Sequence, residues 1–303
     1  MSRRKKALNF FLRYMEKPRL ARESDPGKLR SVFESKARLF FRPPCDTRYE
    51  NGDLGVPVQW AQVGTYIGSG VLLYFHGGGY VFGSPFTHRA MLARLAGLTG
   101  MRACLPTYRL APEHPFPAAL DDARTAYDGL LASGVPADQI VMGGDSAGGG
   151  LVLALLADIC ARDVPKPAAV FAFSPLTDLT FSGDSVVTNA QADVMLPASR
   201  GAEMAEMYLQ GADAANPFAS PLYADFCGAP DICLFAGDTE ILLDDTRRMA
   251  VRLREQGVRT SEHIVKDLPH VWPIFQRLLP EADATLTDLA AWIRLRMPSS
   301  TGN

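Results

Sequence analysis

Apolar residues recur along the chain in two rhythms, and the change between them falls near residue 57. Before it, Leu8, Phe11, Leu12 and Met15 stand three and four positions apart, as on one face of a helix covering residues 2–17. A second stretch of the same period carries Leu29, Val32, Phe33, Phe40 and Phe41. It ends ahead of Pro43-Pro44, which cannot continue a helix. Two helices are therefore expected before the sheet. Their apolar faces could pack on the body, cover a site, or touch a membrane through the basic first turn Arg3-Arg4-Lys5-Lys6. From residue 57 onward short apolar runs take over, at 71–75, 101–105, 139–142, 168–173 and 231–235, with a last strand at 259–265. Stretches of helical spacing separate them near 85–99, 118–133, 147–162 and 241–256. Continuous apolar strands joined through helices predict an α/β fold, with a mainly parallel central sheet covered by helices on both faces.

The alternation breaks once. Between residues 178 and 230 the connection is about fifty residues long, far beyond an ordinary crossover, and holds its own helical stretch with Met204, Met207, Tyr208 and Leu209. Such an insertion is a candidate lid, and with Met195 these side chains predict a closed apolar pocket.

Composition narrows the function classes. The 303 residues are 47% apolar and 21% charged, enough for one large α/β domain with an insertion or for two average domains. A net charge of −2 gives no overall field to attract nucleic acid, so a small neutral partner fits better. The five cysteines, at 45, 104, 160, 227 and 233, are odd in number and scattered, which argues against a disulfide framework or a zinc site. Cys104 and Cys233 read as core thiols, and a reducing compartment follows. Residues 3–12 resemble a signal peptide superficially, but Arg13 and Glu16 interrupt the apolar run and no small-residue cleavage site follows. No apolar run approaches the ~20 residues that span a bilayer. A cytoplasmic protein without stable membrane insertion is expected.

The chemistry lies in the loops. Gly144-Asp145-Ser146-Ala147-Gly148 sits between the strand at 140–142 and the helix that follows, so Ser146 stands on a tight strand-to-helix turn whose glycines remove colliding Cβ atoms. Alone, such a turn is as often incidental as functional. A second glycine loop, His76-Gly77-Gly78-Gly79, follows the strand at 71–75. It can turn backbone N–H groups toward a developing oxyanion. A phosphate cradle would need a Walker lysine or a G-x-G-x-x-G helix entry, and neither is present. The two loops together form a signature of lipases and esterases of the α/β-hydrolase fold. In that arrangement the N–H groups of Gly78, Gly79 and Ala147 form the oxyanion hole, and His76 orders its loop. Chain order in this fold is serine, acid, histidine, which leaves His270 as the base; His76, His88 and His114 come too early and His263 lies in a strand. The acid must accept the imidazole N–H, and the loop after residue 235 offers Asp238 and Glu240. Asp244 and Asp245 lie too far along the next helix.

At this point the chain resembles the bacterial hormone-sensitive lipase family of esterases, over about residues 70 to 275. The resemblance rests on HGGGY at 76–80, YRLAPEHPFPA at 108–118, GDSAGG at 144–149, SPLTDL at 174–179, ASPL at 219–222 and PHVW at 269–272. Many members carry D-P-L-x-D-E at the acid position. Setting Leu242-Leu243-Asp244-Asp245 on its L-x-D-E places Glu240 where the family aspartate stands, a departure that adds one methylene. The resemblance thus implies a triad of Ser146, His270 and Glu240, with Asp238 as the competing acid. It further implies a cap built from residues 1–45 and the insertion 178–230, over a catalytic domain of residues 46–177 and 231–303. Glu113 and His114 are expected in a supporting network. No metal or organic cofactor is implied. The substrate class implied is short- to medium-chain acyl esters, with lactones and terpenoid esters as alternatives under the same mechanism. A homodimer through the last edge strand is implied as well. A non-catalytic binding relative would lack the triad histidine, which this chain keeps, and an interfacial lipase would use the basic N-terminal helix as its anchor.

Overall fold

The computed structural model describes residues 2–298 except 66, 67, 69 and 163. Among these residues the apolar runs pair into an eight-stranded sheet. Its strands are β1 (Thr47–Asp53), β2 (Pro57–Val63), β3 (Val71–Phe75), β4 (Arg102–Pro106), β5 (Ile140–Asp145), β6 (Ala169–Phe173), β7 (Asp231–Gly237) and β8 (Thr260–Val265). They lie in the order β1-β2-β4-β3-β5-β6-β7-β8. From β4 to β8 every pairing is parallel, while β2 runs antiparallel to both β1 and β4. The apolar runs expected from the sequence start at residue 71, so they miss β2 and also the strand before it, β1. That strand, Thr-Arg-Tyr-Glu-Asn-Gly-Asp, lies at the sheet edge, alternates between partial exposure and full exposure, and so carries no apolar signature.

The α-helices are α1 (Arg3–Phe11), α2 (Lys17–Arg22) and α3 (Pro26–Phe40) ahead of the sheet, then α4 (Pro85–Thr99), α5 (Ala118–Ala132), α6 (Ala147–Arg162), α7 (Ser185–Thr188), α8 (Gly201–Leu209), α9 (Leu243–Glu255) and α10 (Pro280–Arg294). The strands direct successive side chains to opposite faces, so the sheet has two cores. Leu73 and Phe75 of β3 pack with Leu120 of α5, Leu155 of α6 and Met249 of α9. Leu72 and Tyr74 point the other way, to Met91 and Leu92 of α4 and Leu286 and Leu289 of α10. Helix α6 lies wholly in the interior from Ala147 to Ile159, which is why its sequence is apolar on every side.

The N-terminal segment departs from the single helix expected over residues 2–17. After α1 it widens into a π-helical turn, Leu12–Glu16, before α2. Only Leu12 of the predicted apolar stripe is fully buried; Phe11 and Met15 are exposed. Two cations tie this segment to the long connection. Arg13 donates to the carbonyls of Gln191 and Ala192, and Lys17 donates to those of Ala190 and Asp193. Residues 178–230 hold α7 and α8, and Nη2 of Arg200, just ahead of α8, reaches the carbonyl of Glu23 at 2.9 Å.

Candidate active site

Strand β5 ends at Asp145 and α6 begins at Ala147, leaving one residue for the turn. Ser146 takes it with φ +53°, a left-handed conformation costing a non-glycine residue about 1–3 kcal/mol. The backbone is held there: the Ser146 N–H donates to the Phe173 carbonyl at 2.9 Å, and its own carbonyl accepts from Gly150 and Leu176. The glycines are sterically required. A Cβ on Gly144 would lie 2.1 Å from the Gly148 carbonyl oxygen, and one on Gly148 would lie 2.1 Å from the oxygen of Phe75.

The glycine loop between β3 and α4 is fixed from both sides. Gly78 has φ +125°, and a Cβ there would meet the Phe82 carbonyl oxygen at 2.1 Å. The Tyr108 hydroxyl donates to the His76 carbonyl at 2.6 Å, and its ring stacks on the His76 imidazole at 4.4 Å. Burial pushes the His76 pKa down to about 3, so this ring stays neutral and serves as a packing and hydrogen-bonding piece. Asp145 links the loop to the serine turn. Its Oδ1 accepts from the Gly77 N–H at 3.1 Å and the Tyr74 hydroxyl at 2.8 Å, while Oδ2 lies 3.3 Å from Nε2 of His88. Burial would raise this carboxyl, but His88 and these hydrogen bonds outweigh it and hold the pKa below its ordinary value. Asp145 and His88 received no role in the sequence reading. The available signal was a histidine among the mostly apolar buried positions of α4.

The loops after β7 and β8 bring an acid to His270. Nδ1 of His270 lies 2.6 Å from Oε2 of Glu240, and both residues are buried. Oε1 of Glu240 accepts from the Ser174 hydroxyl at 2.8 Å and the Gly237 N–H at 2.5 Å, so both carboxylate oxygens are engaged. Ser174 in turn accepts the Val271 N–H at 3.2 Å, which ties the histidine loop to the same point. Asp238 is elsewhere: its Oδ1 accepts the Asp267 N–H at 2.7 Å. Burial alone would lower the His270 pKa, but the Glu240 carboxylate prevails and raises it above its ordinary 6.5. Of the other histidines, His263 is exposed and stacks on Phe235 at 4.8 Å. His114 is also exposed, and beside it Glu113 pairs with Arg30 of α3.

These loops meet over the carboxyl ends of the parallel strands, around a cavity of about 340 Å³. Ser146, His270, Gly78 and Gly79 line it, and Ala147 stands at the start of α6, where backbone N–H groups have no partner within the helix. Phe33 of α3 and Met204 of α8 line it as well. Met195 also faces the cavity, but Met207, Tyr208 and Leu209 turn away into the core. There the Tyr208 ring stacks on Tyr80 at 3.8 Å, so the pocket expected from all five is built from two of them. Among the described residues no group of three or more His, Cys, Asp or Glu side chains is arranged to hold a metal ion.

Comparison with known proteins places this geometry. Residues 72–274 match a family described as having the alpha/beta hydrolase fold. An acetyl-hydrolase of Streptomyces hygroscopicus is 35% identical over 254 residues, which cover 80% of this chain and 85% of the relative. An esterase of Acinetobacter venetianus is 31% identical over 270 residues, covering 88% of each chain. Among solved structures, an esterase from the bacterial hormone-sensitive lipase family superposes with a TM-score of 0.93 at 37% identity, covering 98% of this chain and 99% of the other. The esterase EstE5, in a crystal soaked with p-nitrophenyl butyrate, superposes with a TM-score of 0.93 at 35% identity, covering 98% and 99%.

Proposed function

Since the chain belongs to the hormone-sensitive lipase family of α/β-hydrolase esterases and is a serine carboxylic-ester hydrolase, we propose that Ser146, His270 and Glu240 form its triad. The N–H groups of Gly78, Gly79 and Ala147 form the oxyanion hole. The observation that carries this reading is the 2.6 Å contact between His270 and Glu240, in a cavity that His270 shares with Ser146. Ser146 Oγ attacks the ester carbonyl carbon while His270 takes its proton, and the carbonyl oxygen becomes an oxyanion held by the three N–H groups. Collapse breaks the bond to the alcohol oxygen, which leaves with the proton from His270. Water, deprotonated by the same ring, then attacks the acyl carbon; the bond to Ser146 Oγ breaks, His270 returns the proton to Oγ, and the acid is released. Glu240 holds Nδ1–H of His270, which fixes the tautomer and stabilises the imidazolium.

The pH dependence follows from the ion pair. A base must be neutral to accept a proton, and the His270 pKa is raised above 6.5, so kcat/KM on a neutral ester rises with pH through a midpoint above 6.5. Glu240→Gln removes the charge that raises it, and the midpoint moves down as the rate falls. A wild-type midpoint below 6.5, or one that Glu240→Gln leaves in place, contradicts the pairing.

Residues 1–45 and 178–230 form a cap over a catalytic domain of residues 46–177 and 231–303. The hydrogen bonds of Arg13, Lys17 and Arg200, and the cap side chains in the cavity wall, support this division. An apolar cavity of about 340 Å³ with Phe33, Met195 and Met204 in its wall supports short- to medium-chain acyl groups as substrates. On a p-nitrophenyl series, kcat/KM for butyrate or hexanoate exceeds that for laurate by about tenfold or more. A preference for laurate, or for lactones or terpenoid esters run beside the series, overturns this substrate class. Five free cysteines support a reducing, cytoplasmic setting. The unpaired outer edge of β8 supports a homodimer, and a monomer mass by light scattering at every concentration would remove it.

A further inference from the structure

Charge is distributed unevenly between the N-terminal helices and the rest of the molecule. Residues 2–42 hold thirteen Lys and Arg against four Asp and Glu, a net charge of +9. The whole chain stands at −2, so everything after residue 42 carries −11. The same basic segment exposes a group of large apolar side chains, Phe10, Phe11, Tyr14, Met15, Leu39 and Phe40. Phe10, Met15 and Leu39 are 65%, 61% and 64% exposed.

The ion pair of Glu16 with Lys36 joins the segment that carries Met15 to α3, which carries Leu39 and Phe40. The rings of Phe10 and Tyr14 are 4.7 Å apart. Phe11, from the end of α1, and Phe40, from the end of α3, line the cavity while remaining exposed, as does Leu278. Side chains that belong to both the cavity wall and the surface mark its mouth. Phe11, Phe40 and Leu278 thus connect the outer surface with the cavity that Ser146 lines. The cations border it: Arg3 and Lys6 stand seven and four positions before Phe10, on the same helical stripe, and Arg38 and Arg42 bracket Leu39 and Phe40 in sequence. Arg3, Arg4, Lys6, Arg38 and Arg42 are all exposed.

We propose that this face docks on an anionic lipid surface, with Phe10, Met15 and Leu39 entering the headgroup boundary, the surrounding Arg and Lys on the lipid phosphates, and the cavity mouth turned toward the membrane. Basic helices that expose Phe, Tyr, Met and Leu beside their cations have the make-up of interfacial helices. A second copy fits worse, because a two-fold interface through this patch sets it against itself and opposes two strongly positive faces. Nothing in the proposal requires insertion: among the described residues no helix is long and apolar enough to cross a membrane. The inference goes beyond ester hydrolysis, and its readout is binding to vesicles.

The experiment is co-sedimentation of the full chain with phosphatidylcholine vesicles, with and without about 30% phosphatidylglycerol, whose surface charge attracts exposed basic residues. The wild type binds the anionic vesicles about tenfold more tightly than the neutral ones, and the preference fades with added salt. Replacing Arg3, Arg4 and Lys6 together by Gln abolishes the preference. Phe10→Ser with Met15→Ser and Leu39→Ser weakens binding to the anionic vesicles by about tenfold or more. None of these six side chains lines the cavity, so both variants keep wild-type kcat/KM on a soluble p-nitrophenyl ester, which also reports that they fold. Absence of vesicle binding, indifference to phosphatidylglycerol, or wild-type binding by the serine variant overturns the proposal. So does light scattering without lipid that shows a wild-type dimer and a monomeric serine variant, since the face would then be covered by a second copy.

Discussion

Ser146→Ala is expected to lower kcat on a p-nitrophenyl ester by about 10⁴- to 10⁶-fold, because the covalent route closes and only binding and the oxyanion donors remain. The protein itself should fold normally. Ser146 meets the chain through its backbone, with its N–H on Phe173 and its carbonyl on Gly150 and Leu176, and alanine keeps all three hydrogen bonds. Circular dichroism and thermal unfolding should therefore match the wild type within the small range of a conservative change, about 1 kcal/mol. Loss of activity with retained fold separates the role of the hydroxyl from that of the turn. Retained activity would mean that Ser146 is not the attacking group.

The second large effect distinguishes two carboxylates in one loop. Glu240→Ala is expected to lower kcat by about 10³- to 10⁴-fold, since an unheld imidazole loses both its tautomer and the charge that stabilises its protonated form. It also leaves the Ser174 hydroxyl and the Gly237 N–H without their acceptor in a buried site, a cost of about 1–3 kcal/mol each. Asp238→Ala removes only the acceptor of the Asp267 N–H, at a half-buried position away from His270, and should leave kcat near that of the wild type. Steady-state kinetics of the two variants side by side make the comparison. The reverse order would place the acid at Asp238. Glu240→Asp should fall between wild type and Glu240→Ala, because a carboxylate drawn back by one methylene cannot reach His270, Ser174 and Gly237 together.

Much of this arrangement was legible in the residues because it is local. The apolar runs that became β3 to β8 and the helical stretches between them agree with the observed bounds to within three residues, apart from the N-terminal segment. The serine turn was legible through sterics alone: a Cβ on Gly144 or Gly148 collides across it, so a sequence that makes this turn must place glycine there. Glu240 was reached only through the family resemblance, since the loop offered Asp238 as an equal choice until the motif was aligned. What escaped is what depends on distant pairing. The contact of His88 with Asp145 joins residues fifty-seven positions apart, and the hydroxyl of Ser174 reaches Glu240 across sixty-six; neither follows a local period. The inward turn of Met207, Tyr208 and Leu209 was hidden for a related reason. Helical spacing shows that a face is apolar but not which of two cores receives it, and here Tyr80 holds Tyr208 on the side of the sheet core. The π-helical turn at Leu12–Glu16 likewise shifts the face that a regular period had assigned, leaving Met15 in solvent.

The central claim is that one serine, activated by a histidine that a glutamate holds, carries the acyl group between two half-reactions. Rapid acid quench of the enzyme with a p-nitrophenyl ester, followed by peptide mass analysis, observes that intermediate directly. The prediction is a mass gain of one acyl group confined to the peptide containing Ser146, formed with the first burst of nitrophenolate and absent in Ser146→Ala and His270→Ala. An acyl group on another residue, or continued turnover of the ester by Ser146→Ala at the wild-type rate, would contradict it.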